Sequence, residues 1–531
     1  MLSDTNSLPK QAVWKVLFAG IVIAYGLCYA PYGINETDGG FITGLAWQWL
    51  QGKTLYSEIV YVRPPLPVWW RAVEMMLIPD CWAVLGERWM FFLKVATYSY
   101  LGAGTLERGA ARWPLALFGF IMSVHCYPPM AWHTVDGVLC AAFGVWCLFR
   151  LNNGWAAPMA AIAVFAATLC KQSFYPLPFV LLTLLYFDSN RRKAVRFACY
   201  FLLAYALFFT FMYFRGALGD YFRLTVGATT GGQALQRGVL DYLRLHPLLL
   251  GLSLPVAILV IRFFYTSKGR QITFWAWVGW LLALAVSYGW AVWTHQVFTV
   301  PFTQMRLLAW AGAGAVLLVP LQNRSAFLAL AAVSWCAAIS WGYNLPVMFS
   351  LPWVYAVAAI TVRLNLYGEQ HPNALGYLWF ATLLALLLLF RLAYEFVYRD
   401  GRREAMNCEL GTVFPKLNGI RSDRATCDLY ADLKKLADRY PGFTVLPVFP
   451  MANFLTDTPP PLPLDWVVNR EMNGDQASVK AAVEAKKPYL FIERSQIEKI
   501  ERDPEMSLTK DCLDSGKVIE ETPFFLVLKP E

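Results

Sequence analysis

Charged side chains are scarce in this chain of 531 residues: Asp, Glu, Lys and Arg make up 15%, against a 57% hydrophobic share. Soluble domains carry about 25% charged residues and roughly 45–50% apolar ones, so the shortage argues against a soluble globular protein. No CxxC pair occurs, which removes the usual signature of a structural zinc or thioredoxin-type site. No A-x-A-like cleavage site follows the apolar run 16–30, and further apolar runs come after it. That run therefore reads as a retained first helix instead of a signal peptide. No internal repeat is visible of the kind that marks inverted-repeat transporters.

What the chain has in abundance is apolar blocks, each close to the roughly 20 residues that cross a hydrocarbon core about 30 Å thick. The formal charge is +9, but Lys and Arg gather in short loops on alternate sides of successive blocks. That is the positive-inside pattern, so the charge reports topology and gives no reason to expect nucleic acid. The blocks predict an all-α polytopic membrane bundle of about thirteen spans. These lie near 14–31, 88–106, 113–127, 136–150, 155–170, 174–187, 197–214, 247–262, 272–291, 297–319, 326–343, 346–362 and 375–397. Lys10 and Lys15 place the N-terminus in the cytoplasm, and the cluster Arg191, Arg192, Lys193 and Arg196 marks the inside again. A long external loop covers 32–87, with short amphipathic pieces near 44–50 and 66–78. Residues 1–398 form the membrane domain.

The tail, 399–531, is polar and falls outside on this topology. Its apolar runs 444–449 and 488–492 read as short buried strands. Leu429, Leu433 and Leu436 have helical spacing, and Pro459, Pro460, Pro461 and Pro463 make a stiff extended segment. A small C-terminal α/β extracytoplasmic domain is expected. Cys28, Cys140, Cys147, Cys170, Cys199 and Cys336 lie in apolar segments and pack as small hydrophobes. Of Cys408, Cys427 and Cys512 in the tail, two are able to pair in an oxidising compartment.

The first external loop holds the chemistry. It reads Asn35-Glu36-Thr37-Asp38-Gly39-Gly40-Phe41, then Gly52-Lys53-Thr54-Leu55-Tyr56, then Tyr61-Val62-Arg63-Pro64-Pro65-Leu66. A partly desolvated carboxylate beside cations suits a general base acting on a hydroxyl or amine. Glu36 and Asp38 equally suit capping of a helix that begins near Gly40. Asp136 opens the fourth span after Trp132-His133-Thr134, with the same two readings. Lys171 and Gln172 stand at the external end of the fifth span. Lys is commonly found snorkelling at helix ends, yet outer ends normally have few cations, and Arg63, Lys171, Arg215, Arg223 and Arg237 all fall there. Cations beside carboxylates suit a phosphate-bearing ligand and a base. His295 is a candidate acid or metal ligand, though a lone His is commonly structural. Arg306 falls within a span, where an ionisable residue is a functional candidate.

These motifs resemble the first periplasmic loop of the GT-C glycosyltransferases, a superfamily that includes protein O-mannosyltransferases and lipid A aminoarabinose transferases. Members carry an acidic motif after the first helix, a Lys-Pro-Pro-like motif, an Asp opening the fourth helix and a Lys ending the fifth. Asp38 with Glu36, Arg63, Asp136 and Lys171 occupy the matching positions here. Thr37 separates the acidic pair where family members often have it adjacent. Arg63 replaces the usual Lys, and Gln172-Ser173 stands where Gly-Pro is common.

The resemblance implies a GT-C-like bundle in a bacterial inner membrane, with the tail in the periplasm. It implies a sugar donor linked to polyprenyl phosphate and a glycan, lipid or protein acceptor. Asp38 or Glu36 would be the base of an inverting transfer, and Asp136 would orient the acceptor or base. Arg63, Lys171 and Gln172 would hold the donor phosphate, with His133, Arg223, His295 and Arg306 as further candidates. A divalent metal is compatible with Glu36, Asp38, Asp136 and His295 but is not required. A polytopic transporter or glycolipid flippase is the alternative.

Overall fold

The computed structural model describes residues 8–35, 38, 40–109, 112–124, 128–226, 243–263, 266, 270–295, 302–318, 323–339, 356–357, 359–361, 390–391, 394–395, 397, 400–473 and 475–530. Glu36 lies outside them, as do most of the twelfth and thirteenth expected spans. His295 is the last residue of a helix, but its side chain is outside the described set.

The apolar blocks form helices. Helix α1 (Leu8–Tyr29) leads into the first loop, which is itself helical: α2 (Phe41–Leu50) and α3 (Leu66–Leu77) precede α4 (Ala83–Leu106). There follow α5 (Arg112–Val124), α6 (His133–Arg150), α7 (Ala156–Cys170), α8 (Leu177–Phe187), α9 (Arg191–Phe214) and α10 (Leu218–Val226). Then come α11 (Pro247–Phe263), α12 (Arg270–His295), α13 (Phe302–Leu318) and α14 (Arg324–Ile339). Among the described residues, Ala12–Tyr29 and Arg191–Phe214 are long and apolar enough to cross a membrane, and seven shorter apolar helices accompany them.

Helix ends differ from the hydropathy reading where charge enters a helix. Helix α4 begins at Ala83, five residues before the expected span, because Glu87 and Arg88 are satisfied inside the fold. The Arg191–Arg196 cluster belongs to the first turns of α9 and is not a loop. Helix α3 follows Pro64-Pro65, where a missing N–H costs little because the first helical turn has no acceptor for it.

The tail contains the expected strands and helices. Strands β1 (Cys408–Glu409) and β2 (Arg421–Ser422) pair antiparallel. Strands β3 (Phe443–Leu446), β4 (Tyr489–Glu493), β5 (Lys517–Glu521) and β6 (Phe525–Lys529) form a sheet in the order β3-β4-β6-β5. Its β3 and β4 run parallel, and the other pairings are antiparallel. Helix α15 (Arg424–Arg439) presents Tyr430, Leu433, Leu436 and Ala437 to the interior. The Asp423 carboxylate caps it by accepting from Thr426 N–H at 2.8 Å. Cys408 and Cys427 form a disulfide, and Cys512 is a buried free thiol.

Buried side chains fall into two cores. One lies among the apolar helices, around Phe91, Phe120, Val138 and Phe327. The other joins the first loop to the tail: Phe41, Ile42, Leu45, Tyr56, Tyr61 and Val68 share it with Leu433, Leu446, Phe491 and Val527. Main-chain bonds seal this union. Val60 N–H donates to Pro463 O at 2.8 Å, Gly33 N–H to Arg421 O at 2.8 Å, and Arg421 N–H to Pro31 O at 2.7 Å. Two glycines allow the approach. Gly40 has φ 78°, and a Cβ there would lie 1.8 Å from Met451 Cγ. A Cβ on Gly44 would lie 2.4 Å from Pro450 O.

Candidate functional site

The turn that carries Asp38 packs against the tail. Asp38 is 8% exposed, and its N–H donates to Asn35 Oδ1 at 2.7 Å. The N-cap position of α2 is held by Gly40, and Phe41 N–H donates to the main-chain oxygen of Asp38 at 3.3 Å. Asp136 is not a cap: it lies inside the first turn of α6, and Trp132 occupies the N-cap position.

Arg63 follows Tyr61 and Val62 toward the same region. Its guanidinium grips Glu471 of helix α16 (Asn469–Met472) through two bonds, 2.5 and 2.6 Å long, and lies 5.3 Å from the Phe41 ring centre. Asp38 acts on Arg63 electrostatically, and Arg63 acts on Lys171. Lys171, one residue past the end of α7, donates to Thr134 Oγ1 at 3.3 Å. Burial, and then the Arg63 cation, push the Lys171 ammonium well below the usual lysine range. Gln172 Nε2 donates to Val62 O at 2.7 Å and so ties the end of α7 to the Arg63 segment. His133 stacks on Trp132 at 4.5 Å and feels both Lys171 and Arg63.

Asp136 is buried beside these groups. Lys94, from the middle of α4, lies 2.7 Å from Asp136 Oδ1 and 2.7 Å from Glu74 Oε1. Arg71 bridges Glu74 and Glu87 at 3.3 Å each and donates from Nε to Thr43 Oγ1 at 3.0 Å. Thr43 donates in turn to Glu87, which also accepts from Ala131 N–H at 2.6 Å. This buried network fastens α2, α3, α4 and α6 around the candidate residues. Burying charge is costly unless it is paired, and each of these groups has a partner of opposite sign.

Sequence reading singled out Asp136 but none of its partners. Lys94 carried a readable signal, an ionisable residue inside an apolar block. Arg71 and Glu74 carried a weaker one, an i,i+3 charge pair on an amphipathic helix. Glu471 carried none, because it lies 408 residues from Arg63. Tyr61 stands two residues before Arg63. Its hydroxyl is buried and, like His133 Nδ1, finds no hydrogen-bond partner among the described residues. Both groups lie within electrostatic reach of Arg63, and His133 of Lys171 as well.

Two of the candidates lie elsewhere. Arg223 is half exposed and bonds Asp220 and Asp475, joining α10 to the tail. Arg306 donates to Arg244 O at 2.7 Å. Among the described residues, no group of three or more His, Cys, Asp or Glu side chains is placed to hold a metal ion.

Two cavities flank the site. One, of about 470 Å³, is walled by apolar side chains including Leu101, Leu139, Phe143, Met159 and Ile162, and by Trp70, whose ring lies 4.9 Å from Lys94 Nζ. The other, of about 320 Å³, is bounded by Asp38 and the tail.

No protein-family model matches the chain, and no curated protein matches it. Among solved structures, the chain is similar to ArnT from Cupriavidus metallidurans in the apo state. The two align over 98% of each chain at 14% identity, with a TM-score of 0.42.

Proposed function

We propose that the chain is a membrane glycosyltransferase of the GT-C kind, which moves a sugar from a polyprenyl-phosphate donor to an acceptor at the outer face of the inner membrane. The observation that carries this reading is the electrostatic chain from Asp38 to Arg63 to Lys171, near the unpartnered Tyr61 hydroxyl and His133 Nδ1. A carboxylate, two cations and two spare polar atoms match what a phosphate leaving group and a deprotonating acceptor require. The apolar cavity at Trp70 has the chemistry to take the donor's lipid chain.

In this mechanism the donor phosphate competes with Glu471 for Arg63 and draws on Lys171. Asp38 removes the proton from the acceptor hydroxyl or amine as that atom attacks the anomeric carbon. The bond from this carbon to the phosphate oxygen breaks, the configuration inverts, and the electron pair leaves with polyprenyl phosphate. Arg63 and Lys171 stabilise the charge that builds there, an effect strengthened by poor hydration. Asp136, fixed by Lys94, holds the floor of the site. Glu36 is the competing base. The Cys408–Cys427 disulfide is the type of link that persists in an oxidising compartment, which supports an extracytoplasmic tail.

The test is release of free polyprenyl phosphate from a panel of labelled polyprenyl-phosphate sugars by the purified full chain. Wild type is expected to release it with transfer to acceptor, and Asp38→Asn to lose about 10²–10⁴ of the rate while accumulating normally. Unchanged turnover by Asp38→Asn would move the base to Glu36. Absence of release across the panel would sink the enzyme reading.

A further inference from the structure

The cavity between Asp38 and the tail has a charge of its own. Its lining carries four carboxylates, Asp38, Glu493, Asp503 and Glu505, against two cations, Arg470 and Lys499. The tail holds the last three carboxylates in place. Arg470 N–H donates to Glu505 at 3.0 Å, Glu505 N–H to Asp503 at 3.0 Å, and Ser495 to Glu493. Each of these bonds uses one carboxylate oxygen. Trp466 supplies a flat wall, braced edge-on by Phe41 at 5.0 Å. At about 320 Å³ the space lies near the lower end of small-molecule sites, which span roughly 300–1,000 Å³.

Asp38 thus separates two environments of opposite sign. On one side stand Arg63 and Lys171, suited to a phosphate; on the other lies a cavity with an excess of negative charge. A phosphorylated acceptor entering the second would meet like charge, and an ammonium group would meet opposite charge.

We infer that the cavity bounded by Asp38, Trp466, Glu493 and Glu505 is the acceptor subsite, and that it takes an amine-bearing saccharide and excludes a phosphorylated one. The assignment rests on the proposed glycosyl transfer, with Asp38 at the shared boundary. The ammonium group is the handle held by the tail carboxylates, a sugar face lies on Trp466, and a neutral hydroxyl is presented to Asp38. The C-terminal tail therefore selects the acceptor.

The test is calorimetric titration of the full chain in detergent, without donor, using a glucosamine trisaccharide, its N-acetylated counterpart and glucosamine 6-phosphate. The free amine is expected to bind about tenfold tighter than the N-acetylated form, and the phosphate more weakly still. Glu493→Gln should weaken amine binding about three- to tenfold, and Lys499→Glu, at an exposed position, should tighten it by a similar factor. Titration in nanodiscs separates two sources of amine. Competition by a phosphate-free glucosaminyl diacylglycerol, but not by its N-acetylated form, supports a lipid-borne amino sugar, and no competition supports a free glycan. Equal affinities for the three sugars, preference for the phosphate, or variants that leave affinity unmoved would overturn the inference. Because no donor is present, amine binding by a chain that releases no polyprenyl phosphate would refute the transferase reading and retain the subsite's specificity. Transfer without amine preference would do the reverse.

Discussion

Lys171 owes its character to where α7 stops. Buried beside Arg63, its ammonium is held well below the ordinary lysine range, with Glu471 pulling in the opposite direction. A bound phosphate favours the charged form, so donor affinity should be full at low pH and fall as pH rises through the lowered value. We expect polyprenyl phosphate binding by wild type to weaken at a pH well under the usual lysine range of about 10.4, and binding by Lys171→Arg to stay flat there. A wild-type profile as flat as that of the Arg variant would show that Lys171 does not touch the phosphate. At this scale the sequence revealed side chains that break a local rule. Arg63 and Lys171 are cations where few are expected, and Asp136 is a carboxylate at the edge of an apolar block. It could not reveal groups whose meaning comes from a distant partner, such as Glu471 on Arg63 or Lys94 between Glu74 and Asp136. Arg223 broke the same rule and proved to be a docking residue on Asp475.

Helix and strand positions were far more legible, because hydropathy and periodicity act over neighbouring residues. The expected block 247–262 became Pro247–Phe263, and the strand at 488–492 became Tyr489–Glu493. Errors collected where a helix continues through charged residues that the fold satisfies, as at the start of α4. There Arg88 donates to Ala30 O at 2.7 Å and to Tyr32 O at 3.2 Å. What no pattern disclosed is how closely α2 approaches the tail. Gly44→Ala places a methyl group against the Pro450 carbonyl, and overpacking of that kind costs about 1–3 kcal/mol. Thermal unfolding of the full chain in detergent should show a lower midpoint for Gly44→Ala. The control Gly154→Ala, with nothing within 4 Å of the new methyl, should leave it unchanged. Equal midpoints for the two variants would mean that the contact yields freely.

Across the whole molecule, the union of first loop and tail contains a buried acid that responds to pH. Asp465 accepts from Gln48 Nε2 at 2.6 Å, and Lys53 donates to Gln48 Oε1 at 3.2 Å. Burial raises the Asp465 carboxyl to about 7, with Lys53 and the Gln48 bond pulling it back. The native state therefore keeps a proton that the unfolded chain gives up near pH 4. Stability from this group is complete below that pH and is lost as pH rises from about 4 to about 7. Melting of wild type should worsen over that interval by an amount that Asp465→Asn, which cannot ionise, removes. Parallel pH profiles for the two proteins would exclude Asp465 as the source.

Gln48 is separated from Asp465 by 417 residues, and ribosomes add about 5–20 residues per second. The early loop thus emerges about 20–80 s before its mate. Throughout that wait Phe41, Ile42 and Leu45, each at most 2% exposed in the finished fold, have no tail to cover them. A nascent chain must shelter them against lipid or a chaperone, and the pocket beside Asp38 comes into being only once translation is nearly over. Any message cut short before the final sheet leaves the first loop and the Asp38 turn without the tail that they pack against.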